Sequence, residues 1–432
     1  MAEIASSHAD GCLPPRSPYG PRAMKKQWAL VWILSGLAML GAFSIDAYLP
    51  SFHAIELDLH VDRVAVQWTL SIYLCTFALM MLFYGTLSDT FGRRPVILTA
   101  VAGYVLGSIG AMCAPSFGWL LAFRGVQGLS AGAGSVVGQA VIRDLHPGQM
   151  GQRIMSYVSM VFSLAPAIAP VVGGELQVWF GWRSVFAFLS LASLAMWLAA
   201  WRILPESLPS AKRVPLHLGT ILKGYRQVAS HGDFMLQAFG SGLRFAGFSL
   251  YISTGSDFVM NVLHRPETEF AWLFIPIIIG MSTGSALSAR LAMKYPPARL
   301  VWISYIVMAV AMVANLLYAN LCVPSVPWAV LPGMVYMFGL ALGTPAMTLR
   351  TMDLFPEAKG MAASLQGFIQ MLLFAGMSVI VAPFVLGDIR KLALAVAGGW
   401  GLSIVLWWIG TRRPLVPHHD VVEEEILGVP PS

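Results

Sequence analysis

The chain alternates between long runs of apolar residues and short polar segments. An α-helix rises about 1.5 Å per residue, so about 20 apolar residues cross the roughly 30 Å hydrocarbon layer of a membrane. The pattern therefore predicts an all-α membrane protein with about twelve transmembrane helices. The runs that indicate these helices are 28–50, 65–87, 95–114, 119–142, 154–175, 184–204, 234–256, 270–292, 298–320, 328–349, 361–386 and 391–410.

One of these runs contains an acid. The run 28–50 carries no charge until Asp46 and, on this pattern, ends at Pro50, about 6 Å further along the helix. Only two other acids, Glu175 and Asp257, fall at the edge of an apolar run, and none of the nine histidines lies inside one. A titrating group within the membrane must therefore be a carboxyl group, whose neutral form is favoured by desolvation.

Composition supports a membrane protein and predicts its orientation. Hydrophobic residues make up 57% of the 432 residues and charged residues 11%, whereas about a quarter of a soluble domain is charged. Of the 27 Lys and Arg residues, 20 fall on the side of the N terminus and five on the other side, which predicts cytoplasmic termini. The net charge of +6 then reflects membrane topology, and no nucleic-acid partner is expected. The four cysteines lack ligand-like spacing, so neither a disulfide framework nor a metal site is expected.

The basic, polar segment 204–232 divides the predicted spans into two halves. The halves share the pattern D-L-x-P-x-x-x-G at 144–151 and 353–360, and a weaker similarity begins at Gly85 and Gly284. Parallel repeats of this kind place a substrate site between the halves of a transporter. The predicted organisation is a disordered cytoplasmic tail at 1–27, an N-terminal six-helix bundle at 28–204, a cytoplasmic linker at 205–232, a pseudo-symmetric C-terminal six-helix bundle at 233–411 and a cytoplasmic tail at 412–432.

The loop GTLSDTFGRRP, residues 85–95, has a specific spacing of small and charged residues. Its glycines allow close helix approach and a tight turn, and its arginines offer cations to an acid or to helix carbonyl ends. Anchoring of the loop by positive charge alone is the alternative. The spacing G-x-L-x-D-x-x-G-R-R resembles the signature loop of the major facilitator superfamily, although Thr90 stands where that family usually has a basic residue. The resemblance implies a cytoplasmic latch between the halves, formed by Gly85, Asp89, Gly92, Arg93, Arg94, Arg143 and Asp144.

A second polar pattern, RGVQGLSAG at 124–132, lies inside the fourth run. An arginine in hydrocarbon costs at least about 2.5 kcal/mol, which Arg124 avoids either by extending to the membrane surface or by facing the protein interior. Gly128 and Gly132 form a small-xxx-small face for close helix packing, and this favours an inward Arg124 and Gln127. The spacing R-x-x-Q-G resembles the fourth-helix motif of proton-driven facilitators.

The fifth run contains APAIAPVVGG, residues 165–174, in which two prolines and a glycine pair indicate a kinked, closely packed helix. It resembles the fifth-helix motif of facilitator exporters, with Ala169 in place of the usual first glycine. The resemblance implies antiport, through Pro166, Pro170, Gly173 and Gly174.

Three further stretches narrow the family: SIDAYLPSF at 44–52, GWRSVF at 181–186 and DLFPEAKGMAASLQGF at 353–368. They resemble the bicyclomycin and chloramphenicol resistance (Bcr/CflA) branch of drug–proton antiporters, and the resemblance runs from about Trp28 to about Trp408. That branch usually has proline where this chain has Asp257, which is either an interfacial residue without a role or an acid that alters substrate preference.

The branch places an acid at the position of Asp46, which implies a proton-coupling role with Arg124 as partner. A solvated acid near the membrane surface is the alternative for Asp46. Cavity linings in this fold resemble an apolar and aromatic surface with a few polar groups. For each candidate, ordinary packing or lipid contact is the alternative to a place in the substrate cavity. The candidates are Tyr48, Tyr73, Gln127, Arg244, Tyr251, Trp272, Gln366 and Gln370.

The expected function is therefore export of small, largely apolar drugs across the inner membrane in exchange for protons. Export of an endogenous metabolite is the alternative, and the motif at 165–174 argues against proton-coupled uptake. The chain has no G-x-x-x-x-G-K-[ST] motif, so the proton gradient is the expected energy source, without a cofactor or an enzymatic activity. The expected partners are the substrate, protons and the lipid bilayer, and the expected state is a monomer.

Overall fold

Helices cover each of the twelve predicted runs. The computed structural model describes residues 21–146, 149–162, 164–292, 294–356 and 358–412. In the first half the helices are α1 (Pro21–Asp46), α2 (Phe52–Leu59), α3 (Arg63–Phe91), α4 (Arg93–Met112), α5 (Phe117–Ala131), α6 (Ala133–Leu145), α7 (Gln149–Phe162), α8 (Ala165–Phe180) and α9 (Arg183–Ile203). A 3₁₀ turn, Leu49–Ser51, lies between α1 and α2.

The second half begins with the linker helix α10 (Leu218–Ser230). It is followed by α11 (Gly232–Ser253), α12 (Gly255–Asp257), α13 (Ala271–Leu291), α14 (Pro297–Leu321), α15 (Leu331–Met352), α16 (Lys359–Gly376), α17 (Ala382–Val385) and α18 (Ile389–Gly410). Two π-helical segments, Phe258–Val262 and Met377–Val381, continue α12 and α16.

Within the described ranges, eight helical segments are long and apolar enough to cross a membrane: Trp28–Leu59, Arg63–Phe91, Arg93–Met112, Arg183–Ile203, Ala271–Leu291, Pro297–Leu321, Lys359–Val385 and Ile389–Gly410. The other four predicted runs are also helical. Two of them are divided, into α5 and α6 at Gly132 and into α7 and α8, so no single helix there is long enough. The chain is a multi-pass membrane protein, and the number twelve stays a prediction.

The helices pack in two groups. In the N-terminal group (α1–α9), α3 and α4 pack against α5, and α1 packs against α6, α7 and α9. In the C-terminal group (α11–α18), α13 and α14 pack against α15, and α11 packs against α16 and α18. The groups meet where α3 contacts α16 and α8 contacts α13. The largest buried apolar cluster extends through both groups and includes Leu34, Phe186, Met308 and Tyr336.

The two ends of the helices are distinguished by their contacts. At one end, the linker face, the linker residue Val214 donates its backbone N–H to the carbonyl of Asp89. At the other end, the opposite face, Arg183 donates to Asp58 and to the carbonyl of Ala114. The connections at residues 92, 146 and 204–217 therefore lie on the linker face. The connections at residues 113–116 and 181–182 lie on the opposite face.

Two segments differ from their predicted structure. Helix α1 begins at Pro21, so residues 21–27, predicted as part of a disordered tail, are helical. The predicted linker 205–232 contains α10, whose Tyr225 hydroxyl donates to the carbonyl of Leu82 at 2.8 Å. The linker thus contacts α3 of the N-terminal group. Residues 1–20 and 413–432 of the predicted tails lie outside the described residues.

Candidate functional site

Asp46 lies at the end of α1 but not at the end of the longer helical segment to which α1 belongs. The chain continues through the turn at Ala47, the 3₁₀ segment and α2, so the helical segment that is long and apolar enough to cross a membrane extends from Trp28 to Leu59. Pro50 has no N–H and cannot donate to the carbonyl of Asp46 four residues earlier, which explains the change from α-helix to 3₁₀ geometry. The helical segment therefore continues past Pro50, since proline interrupts the hydrogen bonds without ending the helix, and the end of the membrane span at Pro50 stays a prediction.

The Asp46 side chain is buried, with 3% of its surface exposed. Its Oδ1 atom has no hydrogen-bond partner among the described residues. A solvated acid near the membrane surface, the alternative for Asp46, would be exposed. An ionised carboxylate at such a site costs several kcal/mol when it is unpaired, so a proton bound here offsets that cost.

Arg124, on α5, is completely buried. Its Nη1 donates to the carbonyl of Ser44 at 3.2 Å and to Oε1 of Gln127 at 3.0 Å, and its Nε donates to the carbonyl of Thr69 at 3.4 Å. Gln127 in turn donates to the Ser108 hydroxyl at 2.8 Å. Both polar side chains of the R-x-x-Q-G motif therefore face the protein interior, and Arg124 does not extend to the membrane surface.

Two tyrosine rings cover the guanidinium group of Arg124. Its central carbon lies 4.7 Å from the ring centre of Tyr48 and 4.4 Å from that of Tyr73. The Tyr48 hydroxyl shares a hydrogen bond of 2.8 Å with Thr69, and the Tyr73 hydroxyl donates to the carbonyl of Gly41 at 3.0 Å. Ring faces attract a cation, most strongly where water is excluded. The charge of Arg124 is thus offset by rings and carbonyls.

Asp46 and Arg124 belong to one buried region but form no ion pair in this structure. Arg124 contacts Ser44, two residues before Asp46, yet the ion pairs within 4.0 Å among the described residues include none between Arg124 and Asp46. The Nη2 atom of Arg124 also has no partner among the described residues. The pairing of Asp46 with Arg124 stays a prediction. Each of the two side chains has one polar atom without a hydrogen-bond partner among the described residues.

Glycines bring other backbones close to this region. A Cβ atom on Gly128 of α5 would overlap the Tyr73 carbonyl, and one on Gly132 would lie 3.2 Å from the Tyr84 ring. The predicted small-xxx-small face is therefore a packing surface for α3. Without these glycines α5 could not approach α3 closely enough for Arg124 to reach Thr69.

The motif at 165–174 forms the start of α8. Pro166 lies in the first turn, where no helical N–H is lost, and Pro170 lies inside the helix. Gly173 and Gly174 are buried, and a Cβ atom on Gly173 would overlap the carbonyl of Ala47. The motif therefore packs against the residue that follows Asp46.

The predicted latch forms a compact charged cluster on the linker face. Arg93 pairs with Asp89 at 2.6 Å and with Asp144 at 3.1 Å, and it donates to the Ser88 hydroxyl at 2.6 Å. Arg94 donates to the carbonyl of Trp201 at 2.6 Å.

Two latch residues lie apart from the cluster's ion pairs. Arg143 donates to the carbonyl of Gln139 at 3.4 Å. Gly85 has open space where a Cβ atom would stand, so the close helix approach expected there is not found.

Glu206, which sequence reasoning missed, completes the cluster. Its carboxylate accepts from the backbone N–H groups of Arg93 at 3.0 Å and Arg94 at 3.3 Å, at the start of α4. Gly92 has φ +99°, and a Cβ atom there would lie 2.5 Å from Glu206. The hydrogen bonds of Glu206 thus join the N-terminal group to the linker, whereas the described ion pairs of Arg93 lie within the N-terminal group. A contact between the two halves was expected.

The substrate-cavity candidates fall in separate places. Tyr48, Tyr73 and Gln127 surround Arg124. Tyr251 accepts from Asn315 at 3.2 Å, and Gln366 donates to Ser241 at 3.1 Å, both inside the C-terminal group. Gln370 is half-buried and Trp272 is 43% exposed. The structure brings together only the three residues near Arg124.

Arg244 is buried inside the C-terminal group. It donates to the Ser304 hydroxyl at 2.6 Å and to the carbonyls of Gly339 at 3.2 Å and Leu340 at 3.1 Å, and it contacts the Met347 sulfur. These partners lie on α14 and α15. Arg244 therefore joins three helices of one group.

Replacing Arg244 by lysine is expected to lower stability by about 2 kcal/mol, because one ammonium group cannot reach partners that a planar guanidinium contacts together. Thermal unfolding of the detergent-solubilised protein measures this change. Arg290→Lys, at an exposed position of α13, is the matched control. Equal melting temperatures for both variants would contradict the assigned role.

These features define a helical membrane transporter, with a buried acid and a buried arginine in one group and close contacts between two groups. The chain belongs to the Major Facilitator Superfamily, whose sequence profile matches residues 31–381. It is a transporter and not an enzyme.

Curated relatives agree with the predicted branch. The bicyclomycin resistance protein homolog of Haemophilus influenzae is 28% identical over 396 residues, which cover 90% of this chain and 98% of that protein. Multidrug resistance protein D of Escherichia coli K12 is 28% identical, over 88% of this chain and 95% of that protein. The chloramphenicol resistance protein of Pseudomonas aeruginosa is 29% identical, covering 62% and 63%. The predicted resemblance to the Bcr/CflA branch is confirmed.

Solved structures show the same fold. A D-xylose-proton symporter has a TM-score of 0.71 at 14% identity, covering 91% of this chain and 98% of that chain. The human organic anion transporter MFSD10 has a TM-score of 0.65 at 18% identity, covering 89% and 99%. The major facilitator fold predicted from the sequence is confirmed.

Proposed function

We propose that this transporter exports small, largely apolar drugs, of the chloramphenicol or bicyclomycin kind, in exchange for protons. Asp46 carries the proposal, because it is a buried carboxyl group within a helical segment long and apolar enough to cross a membrane, and its Oδ1 has no partner among the described residues. An ionisable group inside a membrane span is a functional-site hypothesis by default. The names of the relatives, which are resistance proteins for such compounds, support the substrate class.

Proton coupling follows from the cost of an unpaired charge. In the arrangement described, the protonated form of Asp46 needs no counter-ion, whereas the ionised form does. Arg124 supplies that counter-ion if a shift of α1 against α5 brings the two groups together. Substrate binding that changes their separation then changes the affinity for the proton, and the proton gradient drives export without a cofactor.

The proposed orientation places the linker face in the cytoplasm of an inner-membrane protein that acts as a monomer. The distribution of Lys and Arg supports it, since positive residues collect on the cytoplasmic side. The latch cluster and the linker then face the cytoplasm, and the opposite face is extracytoplasmic.

Expression in a bacterial host that lacks its own efflux pumps tests the proposal. Tolerance to chloramphenicol or bicyclomycin should rise, and a protonophore should abolish the increase. In inverted vesicles, addition of the exported drug should release protons from the acidified lumen, as reported by a pH-sensitive dye. Tolerance that persists with the protonophore contradicts antiport, and unchanged tolerance to every compound favours export of an endogenous metabolite.

A further inference from the structure

On the opposite face, an ion pair joins the two groups of helices. Arg63, the first residue of α3, pairs through its Nη1 with Oδ1 of Asp257, the last residue of α12. The Asp257 side chain is only 4% exposed, and that of Arg63 is 39% exposed. The pair connects residues 194 positions apart, and it places a buried acid of one group against a cation of the other.

Asp257 has further donors from its own group. Asn261 donates to its Oδ1 at 2.9 Å, and the backbone N–H of Gly387 donates to its Oδ2 at 2.5 Å. Gly387 lies in the turn between α17 and α18. The carboxylate therefore stays hydrogen-bonded within the C-terminal group even when Arg63 is absent.

Arg63 likewise has a second partner in its own group. Its Nε lies 3.5 Å from Oε1 of Glu56 on α2. One helical turn further along α3, Gln67 donates to the carbonyl of Ser253 at 3.5 Å, which adds another contact between the groups. The seam between the groups is thus bridged at two levels.

A small cavity lies beside the pair. Glu56 and Gln67 line it on one side, and Ser253, Ser256 and Asn261 on the other. Its volume of about 50 Å³ leaves room for a few water molecules, since one water needs about 10–15 Å³ of such space. A drug-sized molecule needs a pocket of about 300 Å³ or more, so this cavity cannot hold one. At this level the Arg63–Asp257 pair and the contact of Gln67 with Ser253 bridge the seam, and the cavity beside them is too small for substrate.

We propose that Arg63 and Asp257 form the extracytoplasmic gate of the transporter, an ion pair that holds this face closed and separates when substrate leaves. The inference rests on the proposed function, since a gate serves transport. Each charge keeps a partner in its own group after separation: Glu56 for Arg63, and Asn261 with Gly387 for Asp257. Opening therefore leaves no isolated charge, and this keeps the two states close enough in free energy to exchange.

Labelling of a cysteine in the cavity tests the gate. Ser253→Cys is introduced into a chain whose Cys12, Cys75, Cys113 and Cys322 are replaced by alanine, and the purified protein in nanodiscs is treated with a maleimide. Asp257→Asn and Arg63→Gln should each increase the labelling rate about tenfold. This corresponds to destabilisation of the closed state relative to the open state by about 1.4 kcal/mol. Asp257→Asn removes a negative charge near the cysteine and Arg63→Gln removes a positive one, so their electrostatic effects on thiolate reactivity are opposite. Faster labelling in both variants therefore indicates that the face has opened.

Asp58→Asn is the matched control. It breaks an ion pair of 2.7 Å with Arg183 on the same face, but both residues belong to the N-terminal group. Its labelling rate should equal that of the parent. An unchanged rate in Asp257→Asn and Arg63→Gln, or an equal increase in Asp58→Asn, overturns the gate. Because labelling needs no transported compound, this result is independent of whether the protein exports drugs.

Discussion

Replacing Asp46 by asparagine is expected to reduce proton-coupled export to the level of membranes without the transporter. Asparagine keeps the size and polarity of the side chain but cannot release a proton, so substrate movement loses its link to the gradient. Because the buried carboxyl group has an oxygen without a partner, the neutral amide introduces no lost hydrogen bond at that atom. The folded protein should therefore reach the membrane in normal amounts.

The loss of coupled export is detected in inverted vesicles, by measuring proton release on addition of the drug at several pH values. Glu175→Gln is the matched control, since Glu175 is an exposed acid of α8 that accepts from Trp179 at 3.0 Å. It should transport like the parent chain. If Asp46→Asn retains export with a normal pH profile, another group carries the proton.

Gly173→Ala is expected to cause the second large effect. The added methyl group would overlap the Ala47 carbonyl oxygen and would lie 2.7 Å from the carbonyl carbon. Neither backbone can rotate away, so α8 and the segment after Asp46 must separate. Overpacking of this kind typically costs about 1–3 kcal/mol. We expect a lower melting temperature together with loss of coupled export, because the displaced residue adjoins Asp46.

Gly118→Ala separates this effect from a general effect of alanine. Gly118 lies near the start of α5 with open space around it, and alanine is favoured over glycine in a helix by about 0.5–1 kcal/mol. That variant should be at least as stable as the parent and fully active. Normal export by Gly173→Ala in detergent-stable protein would show that close contact between α8 and Ala47 is not required.

The sequence allowed much of the fold to be predicted, because membrane spans are specified by local runs of apolar residues. The inward direction of Arg124 was also predictable, since Gly128 and Gly132 mark the face of α5 that packs closely. These signals lie within a few residues of each other, where helical spacing alone decides which side chains share a face.

Contacts across long sequence distances were harder to predict. Glu206 follows a helix end in a polar segment, and nothing nearby indicates that it contacts the start of α4 more than 100 residues earlier. The pairing of Arg63 with Asp257 depends on how two separate groups of helices meet. Pro50 is a local signal that gave a wrong expectation for the helix. Proline usually ends a helix, but here it only replaces α-helical by 3₁₀ hydrogen bonding.

The 3₁₀ segment after Asp46 has a mechanical consequence. Residues 47–51 connect α1, which ends at Asp46, to α2, which carries Glu56 beside Arg63. A short 3₁₀ stretch within a helix commonly acts as a hinge, because its hydrogen bonds are weaker than those of the flanking turns. A tilt of α2 would therefore bend the chain next to the buried acid while the body of α1 stays in place. One bending motion would then both move α2 at the outer surface and change the access of water to Asp46.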